Sequence, residues 1–281
     1  MPTAQDIPFL LKLLDDESPL VRREVEEALR SFGDGLETVL FPHLQALSPE
    51  KEAFVTALVR ELRMDSFEAH WLDWLDIADE HRALESAFRW LSYRDAMIGA
   101  PGLGELLDEL ASRFHGLGHT PETDALMGFL FRQEGFGPPR RDYYHPRNSN
   151  LIYVLHRKEG LQISLTVIAV LLGRRLGLEL YGFNLPGHFM IMAGDPAAPE
   201  LFDPFNKGKR LPQRSMGYLE QSLAKRQTTL AELRAQTHEI VLRAFRNLIN
   251  AAQQRPLPAD AAFYQEHLTT LIAALRERRR I

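Results

Sequence analysis

One stretch of this chain, residues 178–206, has the pattern of β-strands, whereas the residues before and after it have the pattern of helices. It contains three short runs that are rich in strand formers and separated by turns: ELYGFNL, HFMIMAG and ELFDPF. Such runs predict two or three antiparallel strands. So few strands in a chain of 281 residues predict an α+β fold that is predominantly α-helical, with a small antiparallel sheet flanked by helices.

The helical pattern extends over most of the remaining chain. Trp71, Trp74 and Leu75 recur at spacings of three and four, which predicts that they face a core rather than a ligand. Pro256 and Pro258 predict a break before the last helix. We predict four segments: helical hairpins over 1–64, a helical segment over 65–140 that packs on the core, the core with the sheet over 141–255, and a C-terminal helix over 256–281.

The first 64 residues contain proline-bearing turns between helices. Ser18 is predicted to cap a helix whose first residue is Pro19, and Ser48-Pro49 repeats the arrangement. The segment LLKLLDDESPLVRREVEEALRSFGDG resembles a HEAT-type repeat, in which an acidic turn with proline precedes the second helix. Two hairpins are fewer than the three or more repeats of a free-standing solenoid, so we expect this region to pack against the next part of the chain.

Composition excludes several classes of function. The net charge of −5 argues against nucleic acid as the main partner, because neutralising phosphates needs a basic surface. No apolar run approaches the roughly 20 residues that span a bilayer, and the start lacks the features of a secretory signal. The chain has no cysteine, which excludes disulfides and thiolate metal ligands. We therefore expect a cytoplasmic protein without a membrane partner, metal or cofactor, in an oligomeric state that the sequence leaves open.

Two polar residues stand out within the strand region. His188 follows Pro186-Gly187 and begins the second run, and Asp203 lies near the end of the third. Neighbouring antiparallel strands can bring the two side chains together, so that the carboxylate orients and stabilises the imidazole as in a nucleophile–base–orienter triad. The alternative is a hydrogen bond that only stabilises the fold.

A nucleophile for such a triad would be expected where the helix EGLQISLTVIAV begins. The unpaired backbone N–H groups at a helix start favour an anion and lower the pKa of a thiol. The helix of this chain opens at Gly160 and contains no cysteine. The position suits catalysis, but the residue type does not.

Three motifs in order, YYHPRNSNLIYVLHRKEGLQISL, RRLGLELYGFNLPGHFMI and LFDPFN, resemble the SirB-type branch of the transglutaminase-like superfamily over about residues 67–250. The resemblance implies a papain-related α+β core in which Asp203 orients His188. Catalytic members begin the helix with Gly-x-Cys, whereas Gly160-Leu161-Gln162 places a glutamine at the nucleophile position. The SirB-type branch often has a non-thiol residue there.

Ser164 is the nearest hydroxyl to that position. It lies two residues beyond Gln162, which is about 200° around a helix, so we expect it to face away from His188. A hydroxyl is also a much weaker acid than a thiol and would depend wholly on His188 as its base. An enzyme hypothesis remains open, in which Ser164 or an activated water acts with His188 and Asp203 in a hydrolase or acyl transferase.

The loop just upstream supplies candidate binding residues: Tyr144, Arg147, Asn148 and Asn150. Alternatively this is a capped loop, in which Asn148 or Asn150 starts the helix at Leu151 and Arg147 pairs with a local carboxylate. The favoured function is a non-catalytic module that holds a peptide or protein segment in the cleft, with Gln162 beside His188. The enzyme and the purely structural interpretations are the alternatives.

Overall fold

The chain forms two compact units. The computed structural model describes residues 2–93, 98–255 and 257–281. The sheet lies wholly in the second unit. The first unit consists of the described part of residues 1–71 and 93–101, and the second of residues 72–92 and the described part of 102–281.

The first unit is helical. Pro19 and Pro49 each occupy the first position of a helix, as predicted, where the missing N–H costs no hydrogen bond. Ser48 caps its helix with its side chain, whereas the backbone N–H of Ser18 donates to Asp16 and its side chain does not cap. The helices are α1 (Ile7–Lys12), α2 (Pro19–Arg30), α3 (Leu36–Leu40) and α4 (Pro49–His70), with 3-10 segments at Ala4–Asp6, Leu13–Asp15, Gly33–Gly35 and Phe41–Ala46.

The buried face of this unit is a cluster of leucine, isoleucine and valine side chains from all four helices. Helix α3 ends at Leu40 and the chain continues as the 3-10 segment Phe41–Ala46, because Pro42 has no N–H for the α-helical ladder. The resemblance to a HEAT-type repeat stays a prediction.

The second unit contains the remaining elements. Trp74 and Leu75 are buried, which confirms that they belong to a core, but they lie in a 3-10 turn rather than in a continuous helix. The carboxylate of Asp79 accepts the backbone N–H of Arg82 and starts a new helix at Glu80. The helices are α5 (Glu80–Tyr93), α6 (Leu103–Gly116), α7 (Thr123–Gly128) with a π-turn at Phe129–Gln133, α8 (Leu151–Arg157), α9 (Gln162–Arg175), α10 (Gln213–Ala224), α11 (Thr237–Gln253) and α12 (Pro258–Glu277), and the 3-10 segments are Asp73–Asp76, Pro146–Ser149, Pro204–Asn206 and Ala231–Leu233.

The last helix begins at Pro258, as the sequence predicts, while Pro256 lies outside the described residues. The α+β class is confirmed, since the described part of the chain is mostly helical with one small sheet.

The sheet has five antiparallel strands in the order β4-β3-β2-β1-β5. All three runs rich in strand formers are strands and form its centre. The two edge strands contain two residues each, which is too short to show a strand pattern. The strands are β1 (Leu180–Leu185), β2 (His188–Ala193), β3 (Glu200–Asp203), β4 (Lys209–Arg210) and β5 (Arg234–Ala235).

Helix α9 packs against β1 and β2 and forms the centre of the second unit. Its residues from Ile163 to Gly173 are all buried, as expected for a helix that is apolar on every side. Gly160, just before the helix, admits no side chain, because a Cβ there would lie 2.8 Å from Val154. The first helical residue is Gln162 rather than Gly160.

Candidate functional site

Gln162, His188 and Asp203 meet at one end of the sheet. The side-chain nitrogen of Gln162 lies 2.7 Å from Nδ1 of His188. On the other side of the ring, Nε2 of His188 lies 3.3 Å from Oδ2 of Asp203. The imidazole therefore lies between an amide and a carboxylate, and all three side chains are partly exposed.

The strand geometry explains why His188 and Asp203 lie side by side. A two-residue turn, Pro186-Gly187, connects β1 to β2, and Gly187 has the positive φ of 77° that favours glycine. The turn brings His188 opposite Leu185, at the end of β2. In the register of β2 with β3, Asp203 follows Phe202, which pairs with Ile191. His188 and Asp203 consequently point to the same face of the sheet.

Asp203 is fixed by the turn that comes after it. Its Oδ1 accepts the backbone N–H of Phe205 at 2.9 Å, and its backbone oxygen accepts the N–H of Gly208 at 2.9 Å. Pro204 occupies the first position of the short 3-10 segment that Asp203 caps. Oδ2 is thereby left to face His188, in the manner of a residue that orients an imidazole.

The amide of Gln162 has a defined orientation, because it also binds the main chain of β2. Its oxygen accepts the backbone N–H of Phe189 at 3.3 Å. The pairing of β2 with β3 covers only residues 191–193, so the N–H of Phe189 lies beyond the last paired residue and needs another acceptor. The amide nitrogen then faces His188.

This orientation selects the tautomer of His188. The amide nitrogen of Gln162 lies 3.4 Å from Nε2 and 2.7 Å from Nδ1, and we assign the hydrogen bond to Nδ1 because it is nearer and because Nε2 faces Asp203. An amide NH₂ only donates, so Nδ1 accepts, and the ring proton is on Nε2, where it donates to Asp203. The lone pair that would receive a proton from a nucleophile is thus occupied by Gln162.

Ser164 lies apart from this group. Its side chain is fully buried, and its hydroxyl donates to the backbone oxygen of Asn148 at 2.8 Å. The same oxygen accepts the N–H of Leu161 at 3.1 Å, so both bonds hold the start of α9. The hydroxyl has a structural partner and does not contact His188.

Asn148 and Asn150, two of the candidate binding residues, are buried within the loop. The side-chain amide of Asn148 donates to the backbone oxygens of Asp142 and Tyr143, each at 3.0 Å. Asn150 caps α8, because its side-chain oxygen accepts the N–H of Tyr153 at 3.0 Å. The capped-loop alternative therefore describes the contacts of both asparagines.

The other two candidates differ from each other. Arg147 is exposed, and its guanidinium lies 5.6 Å from the centroid of the Tyr153 ring. The ion pair predicted for Arg147 is not among the contacts of the described residues. Tyr144, in contrast, lines a cavity of about 120 Å³ next to Gln162.

The cavity also includes residues that the sequence analysis missed: Arg243, Asn247 and Asn250 of α11. They are spaced four and three residues apart, so they share one side of a helix whose remaining sides are mainly apolar and buried. This polar stripe was visible in the sequence as a break in the apolar pattern. It gave no indication of which other element it faces.

Within the described residues, no group of three or more histidine, aspartate and glutamate side chains could hold a metal ion. His119 lies 2.8 Å from the side-chain oxygen of Gln133, and its ring packs against Phe114 and Phe129. A search of the same residues finds no helix that is both long and apolar enough to cross a bilayer.

A comparison with protein-family models matches residues 102–246 to the transglutaminase-like superfamily. The match covers more than half of the chain and includes Gln162, His188 and Asp203. The chain belongs to the transglutaminase-like superfamily. The residue that faces His188 across from Asp203 in this chain is Gln162.

Several curated proteins are similar to this transglutaminase-like chain. A UPF0162 protein of Pseudomonas aeruginosa is 32% identical over 190 residues, which is 65% of each chain. A UPF0162 protein of Xylella fastidiosa is 40% identical over 87 residues, which is 31% of each chain. The human F-box only protein 21 is 33% identical over 104 residues, or 34% of this chain and 17% of that protein. Each match covers less than two thirds of the relative, and no solved structure gives a significant match.

Proposed function

We propose that this protein is a non-catalytic member of the transglutaminase-like superfamily that holds a peptide or protein segment in the former catalytic cleft. We further propose that it belongs to the SirB-type branch and has the papain-related core that the branch implies. The chain has no cysteine, so it cannot form the thiolate on which the catalytic members of the superfamily depend.

The observation on which this proposal rests is the 2.7 Å contact between the amide nitrogen of Gln162 and Nδ1 of His188. A carboxamide is not a nucleophile at neutral pH. Its N–H donates to Nδ1 of His188 and so occupies the lone pair that a general base would use. The histidine and aspartate keep their mutual orientation while the reacting atom is replaced by a binding group. Retention of the geometry without the nucleophile supports binding rather than turnover.

The enzyme alternative has less support. Ser164 donates its hydroxyl proton to a backbone oxygen in the interior, and a nucleophile must instead be within hydrogen-bond reach of its base. A water activated by His188 would need to displace Gln162 from Nδ1, and this would leave the N–H of Phe189 and the amide to find new partners. No contact of the described residues favours either reaction.

The experiment compares the proteins that bind to the wild-type chain and to three variants in an extract of the cells that produce this protein. Bound proteins are cross-linked chemically and quantified by mass spectrometry. We expect a partner whose recovery falls about tenfold or more in Gln162→Ala and His188→Ala. A tenfold loss corresponds to about 1.4 kcal/mol of binding free energy, which is the order of one hydrogen bond to the ligand. Gln213→Ala serves as control, because Gln213 is also the first residue of a helix but lies outside the site.

Melting curves should show that all three variants still fold cooperatively, because the substituted side chains are partly or fully exposed. Equal recovery from the wild type and from His188→Ala would contradict the proposal. So would steady turnover of ester, thioester or amide substrates that His188→Ala abolishes.

A further inference from the structure

Arg243 is a half-buried cation in the wall of the cavity next to Gln162. Its Nη1 donates to the side-chain oxygen of Asn184 at 2.6 Å, and its guanidinium lies 5.1 Å from the centroid of the Phe189 ring. Asn184 and Phe189 are opposite each other in β1 and β2, so the arginine lies across one rung of the sheet. Among the described residues, no carboxylate forms an ion pair with Arg243.

A guanidinium in this position lacks a counter-charge. Burial lowers the pKa of Arg243 from its ordinary value, although the group stays protonated as arginine does in proteins. Buried charged side chains are normally paired, because leaving water costs free energy that only an opposite charge and hydrogen bonds recover. Asn184 uses one of the five N–H donors, and the remaining donors are available to a ligand in the cavity.

The neighbours of Arg243 define the ligand further. Asn247 and Asn250 lie one and two turns along α11 on the same side. The other polar side chains of the lining are those of Gln162, Tyr143, Tyr144 and His145. Burial, with Arg147 nearby, lowers the pKa of His145 from its ordinary value, so its ring is neutral at neutral pH, and the other neighbours carry no charge. The cavity then provides one positive charge. A single guanidinium with amide donors matches the planar monoanion of a carboxylate, whereas a phosphate dianion is usually held by several cationic groups.

The size of the cavity fits the same ligand. Its volume of about 120 Å³ is well below the roughly 300–1,000 Å³ of pockets for whole cofactors or drug-sized molecules. It has room for a carboxylate group with a few attached atoms. The rest of the ligand would then lie along the open side of the site.

We propose that this cavity binds a carboxylate group of the segment that occupies the cleft, with the guanidinium of Arg243 as its anchor and the amides of Asn247 and Asn250 as further donors. The inference rests on the proposed function, because it specifies the chemistry of the bound segment. The carboxylate is either the C-terminus of a chain or an acidic side chain within it.

The first part of the test uses sodium acetate as the probe. Acetate is titrated into the ¹⁵N-labelled full chain, and sodium chloride at equal ionic strength is the reference. The measurement is the NMR chemical shift of the amide groups of Tyr144, Gln162 and Asn247. We expect saturable shifts in the wild type that weaken about tenfold or more in Arg243→Gln, because charge-assisted hydrogen bonds are the strong ones. Arg246→Gln is the matched control, since Arg246 is exposed on the same helix.

The second part uses three pools of random-sequence octapeptides on the immobilised full chain. One pool has free C-termini and no acidic residues, one has amidated C-termini and a single Asp or Glu, and one is amidated without acidic residues. We expect retention of the first or second pool, which tells the two sources of carboxylate apart, and loss of this retention in Arg243→Gln. Melting temperatures verify folding, and Arg243→Lys, which keeps the charge but not the planar fork, should bind with intermediate strength.

The outcomes separate the two proposals. Acetate binding that depends on Arg243, with no pool retained, supports the carboxylate site and counts against the peptide-binding function. Equal retention of the neutral pool, or undiminished retention by Arg243→Gln, supports the function and overturns the carboxylate site. If neither acetate nor any pool binds, both proposals are overturned.

Discussion

The amide of Gln162 makes two hydrogen bonds of opposite direction at one end of the sheet. It accepts from the backbone of Phe189 and donates to His188, and these two bonds fix which way the amide points. The carboxylate of Asp203 fixes the opposite side of the ring. At the scale of residues, these contacts therefore fix the orientation of all three side chains.

The hydroxyl of Ser164 has a structural role outside the group of Gln162, His188 and Asp203. Replacing Ser164 with Ala removes a buried hydroxyl that donates to the backbone oxygen of Asn148, which still accepts the N–H of Leu161. The free energy of unfolding should fall by about 1 kcal/mol, because one partner of the bond remains satisfied. Equilibrium urea unfolding measures this change, and binding of the partner should be unaltered. A variant of native stability with altered binding would contradict the structural role.

Helix α8 and the loop before it are held in place by two buried asparagines that do not contact Gln162, His188 or Asp203. Asn150 caps α8 and donates through its amide to the backbone oxygen of Ser92 on α5. Asn148 braces the loop that contains Tyr143 and Tyr144. The sequence could not distinguish these buried braces from ligand-binding residues, because a side-chain amide serves both purposes with the same donors and acceptors.

Two substitutions at Asn150 separate its two hydrogen bonds. Asn150→Ala removes both, and the free energy of unfolding should fall by about 1–3 kcal/mol. Asn150→Asp keeps the oxygen that caps α8 but replaces the donor to Ser92 with a second oxygen, which then faces a carbonyl in a buried position. Urea unfolding should show that Asp does not rescue Ala. A return to wild-type stability in the Asp variant would show that the cap alone matters.

At the scale of the whole molecule, the sequence predicted the three central strands of the sheet but not its two edge strands. Short runs rich in strand formers and separated by turns indicated β1, β2 and β3, and thereby the neighbouring places of His188 and Asp203. Two-residue edge strands have no such pattern. The polar stripe at Arg243 could not be placed at the site from the sequence, because helical spacing shows which residues share a face but not which element that face meets.

The stability of the whole molecule should depend on pH through two partly buried histidines. Burial lowers the pKa of His145 and of His238 from their ordinary value of 6.5. Below pH 6.5 the unfolded chain therefore binds more protons than the folded chain, so the free energy of unfolding should decrease as the pH falls from about 6.5 to 5. The carboxylates with lowered pKa contribute only at more acidic pH, since their ordinary values are 3.8 and 4.5.

Urea unfolding at several pH values measures this slope. The double variant His145→Asn/His238→Asn should lose part of it, and His156→Asn, at an exposed position, controls for the substitution itself. An identical slope in the double variant and the wild type would show that these two histidines do not account for it.

If Gln162 occupies the place of a nucleophile, His188 should activate a thiol that is introduced at this position. The most direct measurement is the pH–rate profile for alkylation of Gln162→Cys, whose thiol is the only one in the chain. Gln213→Cys, also at the first position of a helix, is the matched control for the helix terminus alone. We predict that the midpoint for Gln162→Cys lies more than about 1 pH unit below that of Gln213→Cys, and that Gln162→Cys/His188→Ala abolishes the difference. Equal midpoints for Gln162→Cys and Gln213→Cys would show that Gln162 does not occupy the place of a nucleophile beside His188.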